Sequence, residues 1–338
     1  MKKVRTVLFS LILVLSLIFS GCGKEQKDSL ADFPEKEINL IIPYGPGGAN
    51  DRAARMVASI AQEKGFIKKA MIVTNIAGAG TKTGISTVAK ADPNGYTLLV
   101  HHNALITANL LKQLPEDLKW QNSLRPVAQV LETPLTFAVL QESRWRTIQD
   151  LFSEIIANPG SIKFGFPGIN APQSFAFQTV VLGMAEKGID LKIHPVYLEG
   201  GGAVKTAHFG GTVDVVPGIT MDTVPEANGG MYRILSVVSD GRLEMLPDVP
   251  TLAEAGYPMS TETNGALRMV VWAPKDTPDE IVAKLEEILR KVCETQEWKK
   301  FINDNAAVTI FRTAAEVEEV FSTDEEAYIK VLPALKGD

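Results

Sequence analysis

Short apolar runs rich in β-branched residues alternate with amphipathic stretches of helical period along most of the chain. The pattern predicts strands at 38–42, 71–74 and 96–100, with helices over 51–64, near 84–90 and over 104–112 after them. Continuous apolar strand runs joined by βα loops of a few residues imply a parallel sheet covered by helices on both faces. The rhythm changes at 124–140, where two extended segments are separated by Glu132-Thr133-Pro134. A second series follows: a helix from Thr147 stopped by Pro159-Gly160, a strand at 162–166, a helix after Pro172, a strand at 193–196, a helix over 202–209 and a strand at 213–216. Residues 232–238 and 267–272 are again β-rich, and two or three helices fill 279–331. The fold class expected is therefore α/β, with two lobes, each a mainly parallel sheet flanked by helices. Residues 34–130 with 236–338 form the first lobe and 131–235 the second, and two hinge crossings leave a cleft that the strand-end loops face.

The first strand breaks into Gly45-Pro46-Gly47-Gly48, and the following helix takes Asn50 as its expected N-cap and Gly65 as its stop. Glycines at 45, 47 and 48 permit positive φ and close backbone approach, and the next helix offers unpaired N–H groups at a positive dipole end. One such loop is no more than an ordinary αβ connection. Comparable Gly- and Asn-rich junctions recur at 77–84, 101–104, 166–172 and 199–203, and that repetition points to an anion site.

Composition narrows the classes. The chain has 338 residues, is 45% hydrophobic, and carries 34 Lys+Arg against 40 Asp+Glu. A mildly acidic chain without a basic run interleaved with aromatics argues against nucleic acid as a partner. Lys2, Lys3 and Arg5 precede an apolar run over 7–20 and the sequence Phe19-Ser20-Gly21-Cys22. Residues 1–22 thus have the form of a signal peptide, and 23–33 that of a polar tether. Fourteen apolar residues fall short of the roughly 20 that span a bilayer, although an uncleaved anchor helix is the alternative. Cys293 is expected to be a buried structural thiol on a helical face, so no disulfide is available after cleavage.

Enzyme motifs are missing. GPGGAN lacks the GxGxxG spacing, GGGAVKTA has Val204 where a P-loop requires Gly, and neither GxSxG nor HExxH occurs. No catalytic residue, cofactor or metal site is assigned. His101 and His102 are read as loop or surface histidines, with side chains on opposite sides of extended chain. Asp51, Asp214 and Asp222 are candidate acids whose default role is capping or solvation.

Several stretches carry a family resemblance: residues 43–48 (PYGPGG) with Asp51, 77–80 (AGAG), 92–99 (DPNGYTLL), 125–127 (RPV), 210–214 (GGTVD), 246–251 (LPDVPT) with 254–256 (EAG), and 273–278 (APKDTP). Over about 34–332 the chain resembles the solute-binding component of tripartite tricarboxylate transporters, the TctC or Bug family. Residues 19–22 resemble a lipobox, which implies acylation of Cys22 and a membrane lipid anchor outside the cytoplasm or in the periplasm. The family implies a type II periplasmic-binding fold that closes on a carboxylate-bearing ligand and delivers it to TctA/TctB-type membrane subunits, the receptor acting as a monomer. By position, Tyr44, Gly47, Gly48, Asn50, Asp51, Gly80, Thr81, His102 and Asn103 would bind ligand from the first lobe. Pro167, Gly168, Asn170, Ala171 and Gln173 would bind it from the second, and Arg268 is either a further contact or a surface strand arginine. Two departures stand out. Residues 166–173 replace a serine-rich loop, so Phe166 is expected to offer an aromatic ring, and ligand choice is expected to be written there. Gly218 stands where many members have an acid for a ligand amine, which favours a plain carboxylate, less polar or citrate-like. A ligand-sensing receptor using the same cleft is the alternative function, and an enzyme on a similar scaffold the remaining one.

Overall fold

The computed structural model describes residues 33–257 and 265–336, and residues 36–338 belong to one compact unit. The signal segment, Cys22 and all of the tether but Phe33 lie outside the described residues. Strands β1 (Ile38–Ile42), β2 (Met71–Asn75) and β3 (Thr97–His102) run parallel, with β1 between the other two. Every side chain of β1 except Asn39 is buried, as a strand covered on both faces requires. Each strand leads into a helix: α1 (Ala49–Glu63), α2 (Lys82–Ala89) and α3 (Ala104–Leu110).

α1 buries Ala53, Ala54, Val57, Ala58, Ile60 and Ala61, the stripe that a period of 3.6 residues sets. Gly65, at φ +67°, turns the chain out of it: the Gly65 N–H donates to Gln62 O at 3.1 Å and the Phe66 N–H to Ala61 O at 2.9 Å. The start differs from expectation. Gly48 is the N-cap, in extended conformation, and Asn50 lies inside the first turn.

The short helix α4 (Trp120–Ser123) precedes β4 (Leu124–Thr133), which joins β10 (Leu267–Pro274) and β11 (Arg312–Thr313) in the same six-stranded sheet, in the order β11-β4-β10-β3-β1-β2. The pairs β11-β4, β4-β10 and β10-β3 are antiparallel. The sheet is thus mixed where a mainly parallel one was expected, because β4 carries the chain out of the sheet and β10 carries it back, in opposite directions. Pro134 separates β4 from β5 (Leu135–Leu140), the centre of an antiparallel sheet with β8 (Val216–Ile219) and β9 (Tyr232–Val238). β6 (Lys163–Phe166) and β7 (His194–Tyr197) form a parallel pair.

Helices α5 (Ile148–Ala157), α6 (Pro172–Glu186), α7 (Gly200–Phe209) and α8 (Thr220–Asn228) accompany these strands. The strand expected at 213–216 is displaced to β8, leaving Val215 in a single bridge with Phe164. α8 was hidden by Pro225, which lies inside it. Three helices close the chain: α9 (Asp279–Glu294), α10 (Gln296–Asp304) and α11 (Ala314–Lys336), of which α9 and α11 pack on β4. Cys293 is a buried free thiol beside Val130 O, and burial pushes its pKa up to about 12. Among the described residues no helix is long and apolar enough to cross a membrane.

Two large apolar cores result. One gathers Phe137, Phe152, Phe164 and Phe177 around β5, and the other Trp120, Trp272, Phe321 and Tyr328 beside the six-stranded sheet. Phe175 of α6 belongs to the second core, its ring 5.1 Å from Tyr328 of α11, and the two helices pack together.

Arg268 is neither a cavity residue nor a surface arginine. It is 4% exposed on β10, and it bridges Glu132 and Asp324 at 3.1 Å each, both of them buried. Arg312 also reaches Glu132 at 3.1 Å, and the Asn103 amide donates to Ala266 O at 3.0 Å. Replacing Arg268 by Met should cost about 3–5 kcal/mol of stability, because Asp324 would remain as a buried charge without its guanidinium. Urea unfolding measures this, and a loss below 1 kcal/mol would contradict the account.

Candidate functional site

The loops after β1, β2 and β3 face those after β6, β7 and β8 across a cavity of about 1040 Å³. Of the residues expected at a site, Tyr44, Gly47, Gly48, Asn50, Asp51, Gly80, Thr81, His102, Pro167, Gly168, Asn170, Ala171 and Gln173 line it. Asn103 and Arg268 do not. Asn103 is fully buried: it stands between His102, the last residue of β3, and α3, and its amide is directed at Ala266 O and Tyr328 Oη rather than at the cavity.

The loop after β1 is held from behind. Asp51 accepts the Gly47 N–H at 2.9 Å and a two-pronged contact from Arg55 at 2.9 and 3.1 Å. Asn75 joins the frame, accepting from Arg55 at 3.0 Å and donating to Tyr44 O at 3.1 Å. Burial pushes the Asp51 carboxyl upward, but hydrogen bonds from Arg55, Gly47 and Asn75 outweigh it and leave the pKa lowered. Asp51 is therefore a clamp on the loop, and the Gly47 N–H is already spent. Gly47 has φ +88°, and a Cβ built at Gly47 or Gly48 would meet nothing within 4 Å. In the loop after β2, residues 78–81 take φ of +136°, +47°, +62° and +77° in succession. Ala79 and Thr81 are strained there, at a cost of about 1–3 kcal/mol each.

The helix starts at the cavity share one feature. The N-caps Gly48, Thr81, Ala171, Glu199 and Ile219 of α1, α2, α6, α7 and α8 all border the cavity, and none makes a side-chain cap hydrogen bond. Away from it, Thr147 closes a full capping box on α5 and Thr295 caps α10. At the cavity no cap side chain takes a first-turn N–H group, although other protein oxygens take some of them, as Pro134 O takes the Thr220 N–H at 3.0 Å and Ala171 O the Ser174 N–H at 2.9 Å.

The opposite wall adds residues that were not expected at the site. Arg52 donates to Gly47 O at 3.1 Å and to Met221 O at 3.2 Å, joining the two walls. Pro225 explains the second contact: it has no N–H for the carbonyl four residues back, and Arg52 takes that carbonyl instead. Lys205 lines the wall and is paired with Glu226. Asp222 makes no hydrogen bond or ion pair among the described residues; protein crowding raises its pKa, and Arg52 and Lys205 oppose the rise. The cavity thus contains an acid although position 218 is glycine. The signals were the GGG run at 200–202 and Asp222 itself, but without α8 in view nothing brought Asp222 to the cleft.

Three further expectations need correcting. Phe166 is 1% exposed and packs on Phe177 and Tyr197, so its ring belongs to the core rather than to the cavity. Its place on β6 alternates inward, as the strand period demands. Asn170 is engaged rather than free, its amide donating to Gln113 at 2.8 Å and its carbonyl accepting from Thr107 Oγ1. His101 and His102 are buried, not surface, residues, because β3 extends to His102, and their rings lie 4.8 Å apart beside Tyr44. No group of His, Cys, Asp and Glu able to hold a metal occurs among the described residues.

A family model described as tripartite tricarboxylate transporter family receptor, TctC, matches residues 53–332. Protein BugT of Bordetella pertussis is 28% identical over 287 residues, 85% of each chain. Among solved structures, the periplasmic binding protein BugD has a TM-score of 0.71 at 25% identity, with 88% of this chain and 98% of that one covered. R. palustris Rpa4515 with adipate has a TM-score of 0.76 at 21% identity, covering 90% and 99%, a likeness of fold.

Asp51→Asn should loosen the loop after β1 and cost about 1–2 kcal/mol at neutral pH, the worth of a charge-assisted hydrogen bond. A lowered carboxyl pKa stabilises above the unfolded value near 3.8 and ceases to do so as pH falls through the lower folded value. Unfolding curves of parent and variant should therefore differ at pH 7 and converge as pH falls through the lowered folded value. A difference that persists in acid would mean that Asp51 acts through packing.

Proposed function

The chain belongs to the tripartite tricarboxylate transporter receptor family, whose members are extracytoplasmic solute-binding receptors rather than enzymes, and from that premise we propose that it captures a carboxylate-bearing small molecule in this cavity and delivers it to TctA/TctB-type membrane subunits. The observation that carries the ligand class is the set of five helix N-termini without side-chain caps around one cavity. Each turns the positive end of a helix dipole toward the cavity, and together these suit an anion without a dedicated cationic residue.

The two walls differ in charge. The wall at Gly48, Gly80 and Thr81 has one acid, Asp51, already matched by Arg55. The facing wall carries Glu199 and Asp222 at the starts of α7 and α8. A carboxylate is favoured on the first wall, and a second carboxylate is disfavoured at the facing one, where it would meet like charge. Residues 34–130 with 236–338, and 131–235, act in this reading as two lobes that close on the bound acid. The signal segment supports lipid attachment at Cys22, with the receptor working as a monomer on the outer side of the membrane.

A thermal-shift screen of the protein against organic acids tests the ligand class, since a ligand at a hundredfold its Kd adds about 2.7 kcal/mol of stability. Monocarboxylates should raise Tm more than citrate. Gly48→Val should abolish the shift with the fold intact, because its side chain would stand in the cavity. No shift with any acid would contradict the reading. For the anchor, Cys22→Ser should abolish lipid attachment and leave the protein uncleaved or released, and an unchanged acyl mass on the variant would refute lipidation at that residue.

A further inference from the structure

His102, at the end of β3, has the position of its proton fixed by its surroundings. The Ala104 N–H donates to His102 Nδ1 at 3.1 Å, so Nδ1 holds a lone pair and the single hydrogen of the neutral ring is on Nε2. A proton on Nδ1 would set two N–H groups against each other. Burial acts in the same direction and pulls the ring's pKa down to about 3. His101 is fixed likewise, its Nδ1 accepting the His102 N–H at 2.8 Å, and burial followed by the neighbouring ring lowers its pKa well below the usual value.

His102 Nε2 lies 3.0 Å from Tyr44 Oη. With Nε2 as the donor, the phenol oxygen is the acceptor, and the phenol's own hydrogen has no protein acceptor among the described residues. Tyr44 and His102 both line the cavity, and burial raises the Tyr44 pKa, so the hydrogen stays on the oxygen. We infer that His102 is a positioning residue that makes Tyr44 an obligate hydrogen-bond donor to the cavity, so that the ligand presents an acceptor at Tyr44, a carboxylate oxygen, and not an ammonium group. Only the naming of that acceptor rests on the carboxylate reading above. The direction of the donor rests on the Ala104, His102 and Tyr44 contacts alone.

Two measurements test this. Long-range 1H–15N spectra of the histidine-labelled protein should show His102 as the Nε2–H tautomer throughout about pH 5 to 8, where an ordinary histidine titrates. An Nδ1–H tautomer, or a ring that titrates in that window, overturns the inference. The second uses acetate and adipate as probes in calorimetry. His102→Gln keeps an N–H donor and should stay within about threefold of the parent, whereas His102→Glu offers an acceptor and should bind at least about tenfold more weakly, the worth of one hydrogen bond to a charged group. Direct repulsion by the new carboxylate is separated by repeating both in Tyr44→Phe. If Tyr44 carries the effect, the gap between Gln and Glu shrinks at least threefold in that background, and an unchanged gap overturns the inference. If neither probe binds the parent protein, the carboxylate reading loses its support, and the tautomer spectrum still decides this one.

Discussion

Parallel pairing of β1 with β2 and β3 is the constraint from which the rest of the site follows. Strands that run the same way end at the same edge, so the helices after them must begin there. Three loops and three helix starts are brought to one rim, where side chains such as Tyr44, Asn75 and His102 tie them to one another. The antiparallel strands β4 and β10 then carry the chain away and back, and β6, β7 and β8 bring three more helix starts to face the first three. A site for an anion arises from topology before any charged residue is placed.

Much of this was legible in the sequence. The apolar runs and Gly-rich breaks located β1 to β3 and their helices, because period and turn chemistry are local signals, and the family resemblance supplied thirteen of the residues that line the cavity. The polar misses depend on what the chain meets far away. Arg268 could be assigned to a strand, but its partners Glu132 and Asp324 lie 136 and 56 positions distant, and only the fold brings a carboxylate from β4 and another from α11 onto one guanidinium. Asn103 was drawn inward by the same polar group. The pair of histidines looked solvated because β3 was expected to end two residues early.

The charges at the cavity show a division of labour. Asp51, in the stretch that first suggested the site, does not wait for a ligand; it keeps the Gly47 peptide turned and is itself kept in place by Arg55 and Asn75. Family resemblance and structural role are both served by that residue, yet its carboxylate faces the frame. The groups left for the bound molecule are backbone N–H donors and hydroxyls, which are short, stiff and unaffected by pH near neutrality.

Arg52 extends this reasoning to the facing wall. A proline in α8 removes one N–H, the orphaned Met221 carbonyl captures Arg52, and the same guanidinium holds Gly47 O on the other side of the cavity. The two walls are thus joined by a side chain of the protein itself. A guest that brings the walls together is therefore helped by a contact it does not make itself, and part of the freedom the walls surrender on closing is offset by Arg52.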